Sequence, residues 1–436
     1  MTTSNVDAAY DQLELGLVDY LSGGGRLAVV KAPPGSGKTH VLVSALLSLV
    51  EQGKTIAVAA QTNSQADDIC KRIADRGVGT ALTRFASKGH ITPNDFPPGA
   101  SWITDKKDLT DTAGVTVSTV AKWALTKVTA PFDLLAVDEA WQLKWADLMQ
   151  CAVISDRFLL IGDPGQIPPV VTIDVRRWET SPRAPHSPAP EIVLADEELV
   201  EVAYMGSLPA CRRLPCESVD FIKPFYDFDF VAYAEPGERA LDLPADHLLH
   251  RLGDGMPIAV TVPTPSQGPP IEADHELASA AANIVHSLLG CDARARTQTG
   301  FSKALEQADI GVTSSHRVMN AAIEQALGGE CPAVRVDTPE RWQGLERPVM
   351  VAIHPLSGVT DPSAFALETG RLCVMASRHQ AALIILARDH IGDTLANFVP
   401  RAEQAPGKPD ITGRGHEAHS LFWQQLVDAD RVIAIS

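Results

Sequence analysis

The stretch Leu27 to Glu51, LAVVK-APPGSGKT-HVLVSALLSLVE, decides how this chain is read. Leu27–Lys31 has the continuous apolar character of a buried strand, and His40–Glu51 repeats apolar residues at helical spacing. Between them Ala32–Thr39 must turn. Gly35 and Gly37 let the backbone curl so that successive N–H groups face inward, an arrangement that receives anions. The helix after the turn adds the positive end of its dipole. A strand, a glycine-bearing turn and a helix in this register make a P-loop. Lys38 is then placed to reach the β- and γ-phosphates of ATP or GTP, and the Thr39 hydroxyl to reach Mg2+. Pro34, Gly35, Ser36, Gly37, Lys38 and Thr39 are the candidate residues for a nucleotide cofactor. The pattern usually opens with glycine, and Ala32 stands there instead.

Downstream, Leu134–Val137 runs into Asp138-Glu139-Ala140-Trp141-Gln142. An apolar strand ending in two acids delivers a carboxylate to the metal side of a P-loop. Asp138 would hold Mg2+ through water, and Glu139 would polarise the attacking water as general base. The alternative is a helix N-terminus carrying favourable acids.

Working outward, Thr55–Ala60, Val115–Thr119 and Phe158–Ile161 read as further strands and Gln65–Ala74 as a helix. Strands alternating with helices predict an α/β fold with a parallel sheet. Thr83–Leu109, with ITPNDFPPGASW inside it, reads as an irregular insertion spanning about 80–112. Thr180–Pro190, which carries four prolines, reads as a linker or ordered loop. A second α/β series comes next, with strands Pro257–Val262, Ile310–Thr313, Val334–Val336, Val349–Ile353 and Ala382–Leu386 and helices Ala273–Leu289 and Val318–Leu327. From about Ala405 a Pro/Gly-rich stretch leads into one short helix. The expected domains are residues 1–190 and 191–436.

The 436 residues are 45% apolar and 21% charged, enough apolar material for sizeable cores. A net charge of −17 excludes a generally basic surface but leaves room for a local basic channel. No apolar run is long enough to span a bilayer, and Met1–Tyr10 lacks a signal pattern, so a cytoplasmic protein without membrane contact is expected. The seven cysteines have no Cys-x-x-Cys spacing and read as reduced, buried thiols. His416 and His419, in HEAH, lack metalloprotease spacing and read as surface residues.

Gly162–Pro169, GDPGQIPP, closes the next strand after DEAWQ. Six more stretches keep a fixed order: Gln61–Ala66 (QTNSQA), Thr116–Lys122 (TVSTVAK), Leu208–Pro215 (LPACRRLP), Gly311–Asn320 (GVTSSHRVMN), Thr338–Glu346 (TPERWQGLE) and Arg371–Arg378 (RLCVMASR). Together with the P-loop and the acidic box, they make the chain resemble the superfamily 1 helicases from Tyr10 to about Arg388. The nearest branch is the DEAxQ branch of RNA-surveillance and RecD-type enzymes.

The resemblance implies two RecA-like P-loop NTPase lobes with a small insertion in the first and ATP between them. It implies arginine fingers at Arg213 and Arg378, with Arg212 competing for the first place. Gln166 would sense the γ-phosphate, and Glu346 would contact the ribose or the attacking water. Gln12 would read adenine, or is a solvent-facing glutamine. Thr62, Asn63, Thr119, Ser314, Ser315 and Thr338 would hold the backbone of single-stranded DNA or RNA without reading sequence. Trp123 and Trp342 either stack on bases or pack in cores. Arg84, Phe85, Lys88, Trp102, Lys106 and Lys107 give the insertion the character of a wedge or strand clamp, or it is a solvated loop. Met319 stands where the family often has Gln, and His379 where Ala is common. The implied activity is ATP-driven translocation or unwinding, in the 5′ to 3′ direction. The rival is an ATP switch that clamps nucleic acid or a protein partner without unwinding.

Overall fold

The computed structural model describes residues 3–77, 79–128, 130–171, 174–178, 180–270, 273–298, 301–400 and 411–435. The chain forms two compact units. One comprises Met1–Pro164 with Pro168–Pro209, and the other Gly165–Ile167 with Ala210–Ser436.

The first unit is built on eight strands: β1 Leu27–Lys31, β2 Thr55–Ala60, β3 Leu82–Phe85, β4 Ser101–Ile103, β5 Gly114–Thr119, β6 Leu134–Val137, β7 Phe158–Gly162 and β8 Tyr204–Ser207. They lie in the order β4-β3-β5-β2-β6-β7-β1-β8, all parallel. Three helices matter for the site: α1 Thr3–Ser22, α2 Lys38–Glu51 and α3 Asn63–Arg76. β2, β5 and β6 are almost wholly buried. That is why β2 and β6 read as near-continuous apolar runs, whereas β5, GVTVST, alternates valine with small hydroxyl residues. Because every strand runs the same way, the segments after β1, β2, β5, β6 and β7 leave one edge of the sheet, where open α/β sheets bind ligands.

Two expectations need correction. The insertion is not irregular throughout. β3 pairs with β5 from Leu82↔Val115 to Arg84↔Val117, and β4 pairs with β3, so both widen the sheet. The Pro/Gly-rich residues form only the loop between them. The Pro-rich segment is not a boundary either. Ser187 O accepts from Trp145 N at 2.8 Å, and Ala189 N donates to Leu143 O at 2.7 Å, so the chain packs there. The first unit continues through β8, which pairs with β1, and ends at Pro209 rather than 190.

The second unit carries two small sheets, β9 Ala210–Cys211 with β10 Val231–Ala232, and β11 Ala240–Asp242 with β13 Arg294–Gln298 and β14 Phe301–Ala304. Its main sheet contains β12 Ile258–Val262, β15 Ile310–Thr313, β16 Arg335–Asp337, β17 Arg347–Ile353, β18 His379–Arg388 and β19 Val432–Ala434. The order is β16-β15-β17-β18-β12-β19, again all parallel. Alternate residues of one strand feed two cores. Val349, Val351 and Ile353 join Val260, Val312 and Ile384 on one face, and Met350 and Ala352 join Leu383 and Ile385 on the other. Helix Ile411–Asp428 covers the second face through Ala418, Phe422, Trp423 and Leu426. The Pro/Gly-rich stretch before it, from Ala405, lies outside the described residues.

His419 is fully buried, not a surface residue. It meets His354 with ring centroids 5.4 Å apart. Burial holds the His354 imidazole well below its usual range and pushes those of His379 and His419 down to about 3. Their folded pKa values lie below the unfolded value of about 6.5. Stability from these neutral rings is therefore present above about pH 6.5 and is lost as pH falls from there towards 3, at up to roughly 1.4 kcal/mol per pH unit for each ring. The melting temperature should drop between pH 7.5 and pH 5, and His419→Leu should flatten that drop. Equal pH slopes for both proteins would refute the assignment.

Candidate nucleotide site and nucleic-acid face

In the first unit, the turn after β1 takes its shape from two glycines. Gly35 has φ 63° and Gly37 φ 82°, the left-handed region that glycine enters without penalty. Gly37 is the N-cap of α2 and offers no side-chain cap, so the N–H groups of the first turn point into the loop. Ala32 N donates to Gly162 O at 2.8 Å, which ties the loop to the end of β7. Ser36 is buried, and its Oγ has no partner among the described residues. A ring of backbone donors with an orphaned hydroxyl fits a polyphosphate.

The two acids after β6 meet this loop. Lys38 Nζ lies 2.5 Å from Glu139 Oε1, and Thr39 Oγ1 lies 3.3 Å from Asp138 Oδ2. All four side chains are buried or half-buried. Burial alone would pull the Lys38 pKa down, but the charges of Glu139, Asp138 and Asp163 outweigh it and the net shift is upward. Burial raises the Asp138 pKa, against the pull of Lys38. Asp138 Oδ1 also accepts from Glu139 N at 2.9 Å. A hydroxyl beside a carboxylate is a hard-oxygen pair suited to Mg2+, which takes few protein ligands and keeps waters. Glu139 sits at φ 54°, ψ 44°, a left-handed conformation that costs an ordinary residue roughly 1–2 kcal/mol. Strain of this kind concentrates at functional positions. The alternative for these acids was a helix N-terminus. Glu139 leads only into the 3-10 turn Ala140–Gln142 and gives it no side-chain cap.

Sequence reasoning missed Tyr10 and Asp163. Tyr10 is buried on α1 and donates from its hydroxyl to Ser36 O at 2.7 Å. Gln12 is exposed on the same helix, and residues two apart on a helix do not share a face. No local pattern marks Tyr10, because the contact spans 26 residues. Asp163 stands within GDPGQ, but its charge on Lys38 depends on the pairing of β7 with β1, which no local pattern announces.

Thr62 and Asn63 follow β2, and Thr119 ends β5, at the same edge of this sheet. Thr62 caps α3 in a capping box with Gln65, and Thr119 accepts from Lys122 N at 3.3 Å. Trp123 is fully buried and donates to Val58 O at 2.9 Å. Trp342 in the second unit is also fully buried and donates to Val312 O at 3.2 Å. Both are core residues, not base-stacking platforms. Arg84 and Phe85 are buried too, so neither forms a wedge.

In the second unit, Arg213 Nε lies 2.5 Å from Glu346 Oε2, and its Nη1 donates to Ser377 O at 3.0 Å. Gln380 Nε2 donates to Glu346 Oε1 at 2.7 Å. Burial would raise the Glu346 pKa, but the Arg213 charge and hydrogen bond outweigh it and hold it low. Arg212 instead lies over the Tyr233 ring, 3.9 Å from its centroid. Arg378 is 1% exposed, next in sequence to Ser377. His379 is buried behind it, with Nε2 2.9 Å from Ser218 Oγ. Ser314 and Thr338 are buried, and Ser314 Oγ lies 2.8 Å from Asn320 Oδ1. Ser315 is half-buried.

Gln166 groups with this second unit. A Cβ at Gly370 would stand 2.7 Å from the Gln166 carbonyl carbon and oxygen and from Ile167 N, all backbone atoms that cannot swing aside. Gly370→Ala should therefore displace Gln166 and lower ATP turnover by about tenfold or more, a misplacement effect. Unchanged steady-state turnover would show that Gln166 does not depend on this approach.

Residues 11–177 match the family model described as an AAA domain, a span that holds most of α1, the phosphate loop, both acids and Gln166. Over 156 residues the chain is 24% identical to the DNA replication ATP-dependent helicase/nuclease DNA2 of Saccharomyces cerevisiae, covering 34% of this chain and 10% of that protein. Over 148 residues it is 27% identical to the DNA replication ATP-dependent helicase/nuclease JHS1 of Arabidopsis thaliana, covering 33% of this chain and 11% of that protein. Over this first part the chain is similar to an AAA domain and to ATP-dependent helicases. It spans about a tenth of the length of these relatives. Among solved structures it is similar to the Arterivirus nonstructural protein 10 helicase, with a TM-score of 0.43 and 17% identity over 85% of this chain and 62% of that one. The matched AAA domain implies ATP binding for residues 11–177. No helix among the described residues is long and apolar enough to cross a membrane.

Proposed function

We propose that this chain is an ATP-hydrolysing motor that moves on single-stranded nucleic acid. The observation that carries the reading is the pairing of Lys38 with Glu139 and of Thr39 with Asp138 at the ligand edge of a parallel sheet. Phosphoryl transfer needs little more from a protein than positioning and charge. The loop N–H groups of Gly35–Thr39 orient the phosphates, and Lys38 neutralises them. Thr39 and Asp138 would hold Mg2+ beside them. Glu139 takes the proton of the attacking water. Bound ATP with Mg2+ supplies the phosphoanhydride bond whose cleavage drives the cycle.

Arg213 and Arg378 are proposed as the arginine fingers. The engagement of Arg213 with Glu346 and the Ser377 carbonyl favours it over Arg212, which is turned to Tyr233. Gln166 is proposed as the γ-phosphate sensor and Glu346 as the ribose or water contact. Thr62, Asn63, Thr119, Ser314, Ser315 and Thr338 are proposed to line the strand. A bound strand advances by a population shift coupled to the nucleotide state. DEAWQ supports the DEAxQ branch and, with it, 5′ to 3′ polarity; the cytoplasm is the proposed location. The relatives' names, all helicases, favour movement over a passive switch.

Steady-state ATP turnover, with and without single-stranded DNA or RNA at low salt, tests the reading, with Lys38→Ala as the blank. Stimulation by one polymer, absent in the blank, is expected and names the substrate. Turnover indifferent to both polymers would refute movement on a strand by this chain.

A further inference from the structure

Asn63 opens α3 at the strand-binding edge proposed above, and its amide has two chemically different ends. Arg84 Nη2 donates to Asn63 Oδ1 at 2.8 Å. A guanidinium has only donors, so the atom it meets must be the amide oxygen. The Asn63 NH2 group is thereby turned away from Arg84, leaving a donor, the form that a phosphate oxygen accepts.

Arg84 is itself immobilised. It is fully buried on β3, its Nε donates to Asp67 Oδ1 at 2.8 Å, and its Nη1 donates to Phe85 O at 3.0 Å. Asp67, buried one turn along α3 from Asn63, is held from its other side by His90 Nε2, 2.8 Å from Oδ2. The carboxylate only accepts, so His90 is the donor there. His90 comes from the loop between β3 and β4. Trp102 of β4 stacks on its ring at 5.5 Å and 29°, and Phe96 meets Trp102 edge-on at 5.1 Å. The insertion therefore builds a closed support, Trp102–His90–Asp67–Arg84, that ends on one amide oxygen.

We propose that Arg84 is a positioning residue for strand binding, which fixes the Asn63 amide with its NH2 group outward, and that the insertion serves to hold it there. This rests on the reading that Asn63 faces nucleic acid. The insertion then acts on the strand through Asn63, an alternative to both the wedge or clamp and the solvated loop read from its composition.

The test measures binding of a labelled single-stranded DNA oligonucleotide, and of the RNA equivalent, at low salt, with a melting curve for each protein. Asn63→Ala should weaken binding by about tenfold or more, the effect of losing a hydrogen bond to a charged group. Arg84→Met should weaken it equally, and the double variant no further. Asn63→Asp keeps an acceptor for Arg84, so it should melt like the wild type yet bind as poorly as Asn63→Ala. Should Arg84→Met not fold, Asn63→Asp decides alone. Additive losses in the double variant, or wild-type affinity in folded Arg84→Met or in Asn63→Asp, would overturn the positioning role. A wild-type chain that binds neither polymer would instead overturn the strand-binding reading on which it rests.

Discussion

Glu139→Gln should lower ATP turnover by about 10²–10⁴-fold, the usual contribution of a general base, while nucleotide binding tightens. The opposite signs come from one contact. Glu139 holds Lys38 Nζ at 2.5 Å, so the phosphates must compete with this carboxylate for the lysine. Glutamine keeps the shape and the left-handed backbone at this position, but it removes the charge that competes and the carboxylate proposed to accept a proton. Lys38 still has Asp138 and Asp163 nearby, so its own charge is preserved. Single-turnover kinetics and equilibrium binding of a fluorescent ATP analogue separate the two effects. Turnover within tenfold of the wild type would remove Glu139 from the chemistry. Weaker binding would mean that the ion pair supports the phosphate site rather than competing with it.

Arg378→Ala should be more costly still, with about 10³–10⁵-fold lower turnover, the range for an arginine finger. Arg378 closes RLCVMASR at the start of β18, where its carbonyl accepts from Arg347 N at 2.9 Å, so the backbone there is pinned. Arg378→Lys keeps the charge but loses the planar fork and should recover only part of the loss. Arg213→Ala should also slow turnover, and it removes the charge that holds the Glu346 pKa low. The decisive quantity is turnover at saturating ATP. If Arg378→Ala folds and stays within tenfold of the wild type, Arg378 is not a finger.

Much of this architecture is written locally. The central strands of the two main sheets are largely buried on both faces, so most appear as short apolar runs, and β1, β2, β6 and β15 lie where those runs lie. Strands at or next to an edge escape this logic. β3 and β4 carry Arg84 and a half-exposed Trp102, and β8 carries Tyr204 and Met205, so no apolar run announces them. The acids after β6 and the loop after β1 were legible because each completes a strand. Their partners across the fold, Tyr10 and Asp163, were not.

By itself the sequence determined the phosphate loop, the strand-ending acids and the order of the two α/β series. These depend on local backbone chemistry: glycines that accept positive φ, and apolar runs bounded by turns. Only the tertiary structure decided that Trp123 and Trp342 pack in cores, that His419 is buried and that Arg84 steadies Asn63 from inside. Burial is a collective property of residues distant in sequence. A tryptophan, a histidine or an arginine therefore carries no sign of which side of a surface it will occupy until the elements around it have packed.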